Sequence, residues 1–509
     1  MKRAEIHTKA EKKFTIMLFF GLLVLSATAS ASSCPIDPTF PSCFKLGAST
    51  AAYQIEGAWN VSDKSVSIWD NFTHRVPRVT VDNSTGDIAC DSYNLWQRDV
   101  EMAAEMGLDY YRFSISWPRL LPKGYDYYVS KDGAEYYNNL INGLLERGIE
   151  PVVTLYHWDL PDILQQLGGW TNPLTADWFA NYARIVFDLY GDRVKTWITI
   201  NEPIVVCDAA YAAGYTAPGI KEPYSGVFVC TKNVLLGHAK AWRIYDKEFR
   251  HLYEGKVSIS NHMIWFEPKT KADEALNELA MQYINGRYAH AIYSEEGGWP
   301  SSLEKYMAEY SAKQGYPRSR LPVFTEYEKT LVRGTFDFIA VNYYTTKLIR
   351  PAREGEVVSD LFVSGIPDLN AVMESPPTAT YGYSTLMSIY PKGLRRILGW
   401  LKDTYGDHEM MLTENGFSSS GSELNDQERI DFIRNHLEQL LLAMKVDHVN
   451  VSGYTHWSLM DNFEWLDGYT SKFGLYEVNF TDPMRERTPR ASANYYSKII
   501  KQRKLDICC

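Results

Sequence analysis

The sequence contains no CxxC and no HExxH, and its 11 histidines are scattered, so none of the spacings that hold zinc or a redox-active dithiol is present. Neither a metal nor a cofactor is implied. No Gly-rich phosphate loop follows the first apolar strand, which argues against an open doubly wound nucleotide-binding sheet. Internal repeats, low-complexity tracts and linkers are also missing. The early apolar run, Phe14 to Leu25, is well short of the ~20 residues a spanning helix needs, so no membrane anchor is expected. An excess of basic residues is lacking too. The formal charge is -10, and because the first 31 residues carry five cations against Glu5 and Glu11, the remainder stands at -13. An acidic body of this kind argues against nucleic acid or an anionic membrane as partner. The C-terminal Cys-Cys is neither a prenylation box nor a retention signal.

What is present begins with a basic stretch ending at Lys13, the apolar run, and small residues through Ser33. That order reads as a secretory signal peptide over residues 1–31, leaving 32–509 as the mature domain and an extracellular or luminal destination. Five N-x-S/T sequons, at Asn60, Asn71, Asn83, Asn450 and Asn479, fit exported glycoprotein. Seven cysteines leave one odd, and Cys34 with Cys43 or Cys207 with Cys230 could pair, although spacing alone does not fix connectivity.

Along the 509 residues, 45% of them hydrophobic, short β-branched or aromatic runs alternate with amphipathic stretches long enough for helices. Eight strands are predicted, ending near Ala48, Ser116, His157, Asn201, Asn261, Tyr343, Glu414 and Trp457. Between the second and third, Asp132 is placed to cap a helix through Tyr136, Leu140 and Leu144 that stops at Gly148. Eight such units predict a single closed (β/α)₈ barrel. Two segments rich in Pro, Gly and polar residues, Tyr293 to Glu328 and Arg350 to Tyr383, read as loop insertions.

In such a barrel the residues that end the strands gather on the C-terminal rim. Here they include His157, Asn201, Glu202, Asn342, Glu414 and Asn415, with Glu464 just beyond. Glu202 and Glu414 each follow an apolar strand segment, and strands four and seven would turn them toward one another. Cleavage of a glycosidic bond needs such a pair, one carboxyl protonated to assist the leaving oxygen and one ionised. The 14 Trp and 35 Tyr supply flat faces suited to sugar rings as well as to a core.

Several strings, in this order, carry a resemblance over nearly the whole mature length: FPSCFKLGASTAAYQIEGA from Phe40, YRFSISW from Tyr111, YHWD from Tyr156, TINEP from Thr199, NYY from Asn342, TENG from Thr413 and SLMDNFEW from Ser458. The chain resembles glycoside hydrolase family one, of β-glucosidase type, with loops similar to those of animal and particularly insect members. The resemblance implies Glu202 as acid/base and Glu414 as nucleophile of a retaining enzyme, with Arg112 beside the nucleophile and Tyr344 hydrogen-bonded to it. It assigns Gln54, His157, Trp158, Asn201, Glu464 and Trp465 to sugar hydroxyls, Trp457 to the stacking floor, Phe473 to the wall, and Asn342 to the same site. The expected substrate is a small-molecule β-glucoside. Plant thioglucosidases of the family carry Gln where this chain has Glu202, so O-glycosides are expected, with a myrosinase acting on glucosinolates as the alternative. Klotho-like, non-catalytic relatives lack one catalytic carboxylate, whereas both are present here. A homo-dimer is left open.

Overall fold

The computed structural model describes residues 37–506. The signal-peptide reading, and Cys34 of the Cys34–Cys43 pairing, fall on residues outside that range.

Eight parallel strands form the frame: β1 (Lys45–Ser49), β2 (Tyr110–Ser114), β3 (Glu150–Tyr156), β4 (Thr196–Asn201), β5 (Lys256–Pro268), β6 (Ile339–Pro351), β7 (Met410–Gly416) and β8 (Val451–Trp457). Each pairs with its neighbours in sequence, and β8 returns to β1, Ser49 lying opposite Trp457. The sheet is therefore closed, a (β/α)₈ barrel. Parallel strands are covered on both sides, which is why these segments read as apolar runs.

Three expectations need correction. The helix after β2 spans Lys131–Glu146 and is capped by Ser130, whose side chain accepts from the Gly133 amide at 3.0 Å; Asp132 sits in the first turn, where it meets the helix dipole. β2 ends at Ser114, while β5 and β6 run past their expected ends and pair with each other from Trp265–Thr346 to Pro268–Ile349. That extension rises above the rim and adds the antiparallel strand Ala371–Glu374. The two insertions thus contain regular structure, a helix at Ser301–Lys313 in the first and the strands Gly365–Ile366 and Ala371–Glu374 in the second.

The barrel interior changes character along its axis. At the N-terminal end Tyr110, Val152, Ile198, Phe338, Ala340 and Met411 fill it with a small apolar cluster. Above it lie polar side chains, Arg112, Thr154, Asn201, Ser260, Asn342 and Thr413, all essentially buried and bonded to one another. Desolvated polar groups persist only where their bonds are made, so this layer is a rigid bed for whatever stands on the rim.

Candidate active site

Both glutamates stand where the ladder slips. The β4–β5 register shifts between Ile198 and Asn201, and the β6–β7 register between Leu412 and Glu414. Such irregularities re-aim the side chains that follow them. Glu202 has φ +46, and Trp158 and Trp465 have φ +76 and +48, a left-handed conformation that costs energy outside glycine. The Glu202 amide is held by the Ser260 carbonyl at 2.8 Å.

Glu414 accepts at both oxygens. Arg112 donates from Nη1 to Oε1 at 2.7 Å, and the Tyr344 hydroxyl donates to Oε2 at 2.9 Å. Arg112 also bonds Asn201 Oδ1 at 2.7 Å, Thr154 Oγ1 at 3.1 Å and the Thr413 carbonyl at 2.8 Å, so its fork is fixed. Burial pushes the Glu414 carboxyl up to about 7, and the Glu202 charge adds to that, while Arg112 and Tyr344 oppose it.

Glu202 is held differently. Its Oε1 accepts from Asn342 Nδ2 at 2.8 Å and lies 3.0 Å from His262 Nδ1. Asn342 is itself oriented by Ser260 and Thr413, which both donate to its Oδ1. His262 carries no motif in the sequence; it follows Ser260 and Asn261 in β5, and only its place one residue beyond the expected strand end at Asn261 hints at the rim. Asn261 itself turns away to the Tyr293 hydroxyl, and Asn415 is taken up by the Tyr343 carbonyl and the Tyr454 hydroxyl.

The pocket has a volume of about 400 Å³. Glu202, Glu414, His157, Trp457, Glu464 and Trp465 line its inner end, with Trp158, Tyr344 and Phe473 beside them. The Arg112 bond fixes the Asn201 amide so that its Nδ2 faces His157 Nε2 at 3.1 Å. Burial, and then Arg112, hold that imidazole well below its usual range. His157 is therefore neutral, accepts at Nε2 and keeps Nδ1–H as a donor without a partner among the described residues. Burial drives the Glu464 carboxyl well above the usual range, helped by Asp467 and Glu414. Gln54, Asn201 and Asn342 are fully buried one layer behind the pocket surface. Gln54 donates to Asn462 Oδ1 and the Phe463 carbonyl and reaches Glu464 at 3.4 Å, while its Oε1 has no partner among the described residues.

Among the described residues no group of three or more His, Cys, Asp or Glu side chains could hold a metal ion, and no helix is long and apolar enough to cross a membrane. The Cys207–Cys230 bridge is formed. The sequons at Asn60, Asn71, Asn83 and Asn450 are exposed, and Asn479 is partly so.

A closed barrel whose rim sets two glutamates in one deep pocket, beside aromatic faces and neutral hydrogen-bonding groups, defines a glycoside hydrolase. The comparison with known proteins agrees: the model for glycosyl hydrolase family 1 matches residues 36–505, and the chain belongs to that family of β-glycosidases. It is 41% identical over 468 residues to Myrosinase 1 of Brevicoryne brassicae, covering 91% of this chain and 99% of that one. It is also 41% identical over 473 residues to a human cytosolic beta-glucosidase, covering 92% and 99%. The solved aphid myrosinase superposes with a TM-score of 0.87 at 41% identity, covering 92% of this chain and all of that one. A rice beta-glucosidase mutant in a covalent complex with Glc follows at 0.82 and 34%, covering 90% and 98%.

Proposed function

We propose that the protein hydrolyses terminal β-D-glucosides, chiefly O-glucosides, by double displacement through a covalent glucosyl-enzyme. The observation that carries this reading is the unequal solvation of the two carboxyls. Glu414 accepts from a guanidinium and a phenol, one at each oxygen, which favours its anion. Glu202 accepts at Oε1 only, from an amide and an imidazole, which leaves Oε2 free to face the leaving oxygen.

In the first step Glu414 attacks C1, the bond from C1 to the glycosidic oxygen breaks, and Glu202 gives its proton to that oxygen. In the second, Glu202 takes a proton from water as the water attacks C1, and the ester to Glu414 breaks. His157, Glu464 and Trp465 bind the sugar hydroxyls, positioned by the layer of Gln54 and Asn201 behind them, with Trp457 stacked beneath the ring and Phe473 beside it. Retention follows from two inversions. Proton NMR of the first-formed sugar checks it: β-glucose is expected, and α-glucose before mutarotation would overturn the assignment.

The likeness to Myrosinase 1 favours a second reading, hydrolysis of S-glucosides through the same nucleophile. Release into an extracellular or luminal space completes the proposal. It is supported by the Cys207–Cys230 bridge, which persists in oxidising compartments, and by the exposed sequons.

A further inference from the structure

The outer end of the pocket differs from the inner one. Beyond Glu202 the chain enters a helical segment, Val205–Ala212, whose Val205 and Ala209 face the cavity. Opposite them stand Leu361, Phe362 and Val363 from the second insertion, with Leu386 and Met387 further along the chain. Tyr215, Thr216 and Ser384 are the neutral polar groups of the rim.

No Lys or Arg is among the described residues that line the pocket. Arg112, Lys347 and Lys221 are each engaged elsewhere. Arg112 is buried beneath the glutamates with its fork bonded to four partners. Lys347 is buried and donates to the Leu386 carbonyl at 2.9 Å, which holds the Leu386–Met387 wall in place. Lys221 pairs with Asp360 at 3.3 Å, and Tyr215 donates to the same carboxylate at 3.0 Å, so one residue of the insertion ties the two sides of the mouth together. Four carboxyls, Glu202, Glu414, Glu464 and Asp467, line the pocket instead. An anionic group brought in here would lose its water and meet no counter-charge.

Resting on the glucosidase reading above, in which the outer end of the pocket receives the aglycone, we propose that this chain's outer pocket, centred on Phe362 and lined by no Lys or Arg among the described residues, selects uncharged, apolar aglycones over those carrying sulfate or carboxylate. Phe362 is its central contact. The turn that carries it is held in place, because the Ser364 and Gly365 amides both donate to the Leu361 carbonyl and Gly365 pairs with Val372. It meets the His262 ring edge-on at 5.7 Å, and His262 stands against Glu202. An aglycone ring packed on Phe362 would thus lie next to the residue that protonates its oxygen.

The test is kcat/KM of the full chain on pairs of aryl β-glucosides matched in phenol acidity, one neutral and one bearing a carboxylate or sulfate, with cellobiose and a glucosinolate beside them. The neutral member should exceed its anionic partner by ~10-fold or more, as the cost of desolvating an unpaired anion implies. Phe362→Ala should raise KM for neutral aryl and octyl glucosides about tenfold, and Phe362→Leu less. The Ki of glucose, which occupies the inner end alone, reports whether the site is still folded in each variant. Equal or higher kcat/KM on the anionic members or the glucosinolate, or an unchanged KM in Phe362→Ala, overturns the aglycone assignment while leaving the glucosidase reading intact. Failure to hydrolyse any glucoside removes both.

Discussion

At the scale of single residues, the account rests on which carboxyl carries the charge. Glu414 is raised to about 7 by burial, with Arg112 as the main opposing influence. Arg112→Met removes that opposition, so the acidic limb of the kcat/KM–pH profile, which belongs to the coupled pair, should move to higher pH by about one unit. A limb that stays in place would mean that Arg112 does not govern the nucleophile. A second buried carboxyl, Asp159, is also pushed up to about 7, first by burial and then by the Glu56 charge. Its folded value exceeds the unfolded one, so between roughly pH 4 and 7 the unfolded chain loses a proton that the folded chain keeps, and stability falls as pH rises. The penalty is fully present above about 7. Asp159→Asn should therefore match the parent near pH 4 and be more stable at pH 8, by about 4 kcal/mol. A stability difference that does not change with pH would contradict this. Glu202, Glu414, Arg112 and Tyr344 were legible because their strings are long and specific. His262 was not, because a lone histidine in a strand that also carries Ser258, Ser260 and Asn261 gives no signal of the carboxylate it faces.

At the scale of elements, the eight strands were readable because strands covered on both faces are continuously apolar. Caps were less so. Ser130 and Asp132 are both able to accept from a helix amide and lie two residues apart, and only the backbone decides between them. The insertions were harder, since Pro and Gly at their ends look like loop whether or not a helix such as Ser301–Lys313 lies between. The register shifts before Glu414 and Glu202, and the left-handed backbone at Glu202, leave no mark in the sequence at all. Cys207–Cys230 ties the helix Val205–Ala212, which carries part of the pocket wall, to the helix Gly226–Ile244. Closing a loop of that length stabilises by roughly 3 kcal/mol. The Cys207→Ser/Cys230→Ser double variant should unfold a few degrees lower in a thermal melt. An unchanged midpoint would mean that the packing of the two helices carries the segment alone.

At the scale of the whole molecule, an apolar plug closes the barrel at one end, a bonded polar layer lies above it, and the two glutamates stand on that layer in the pocket. The fold, and the meeting of Glu202 and Glu414 in one pocket, could be read from residue order. What lines the outer pocket could not, because it depends on how the second insertion folds back over the rim. The central claim is that Glu414 forms the bond to sugar. Incubation with dinitrophenyl 2-deoxy-2-fluoro-β-glucoside, whose fluorine slows the second step, followed by digestion and mass spectrometry, tests it directly. One equivalent of dinitrophenol should be released and the fluoroglucosyl group should be found on the peptide at Glu414. Label at another residue, or turnover of β-glucosides by a protein that never acquires label, would contradict the account.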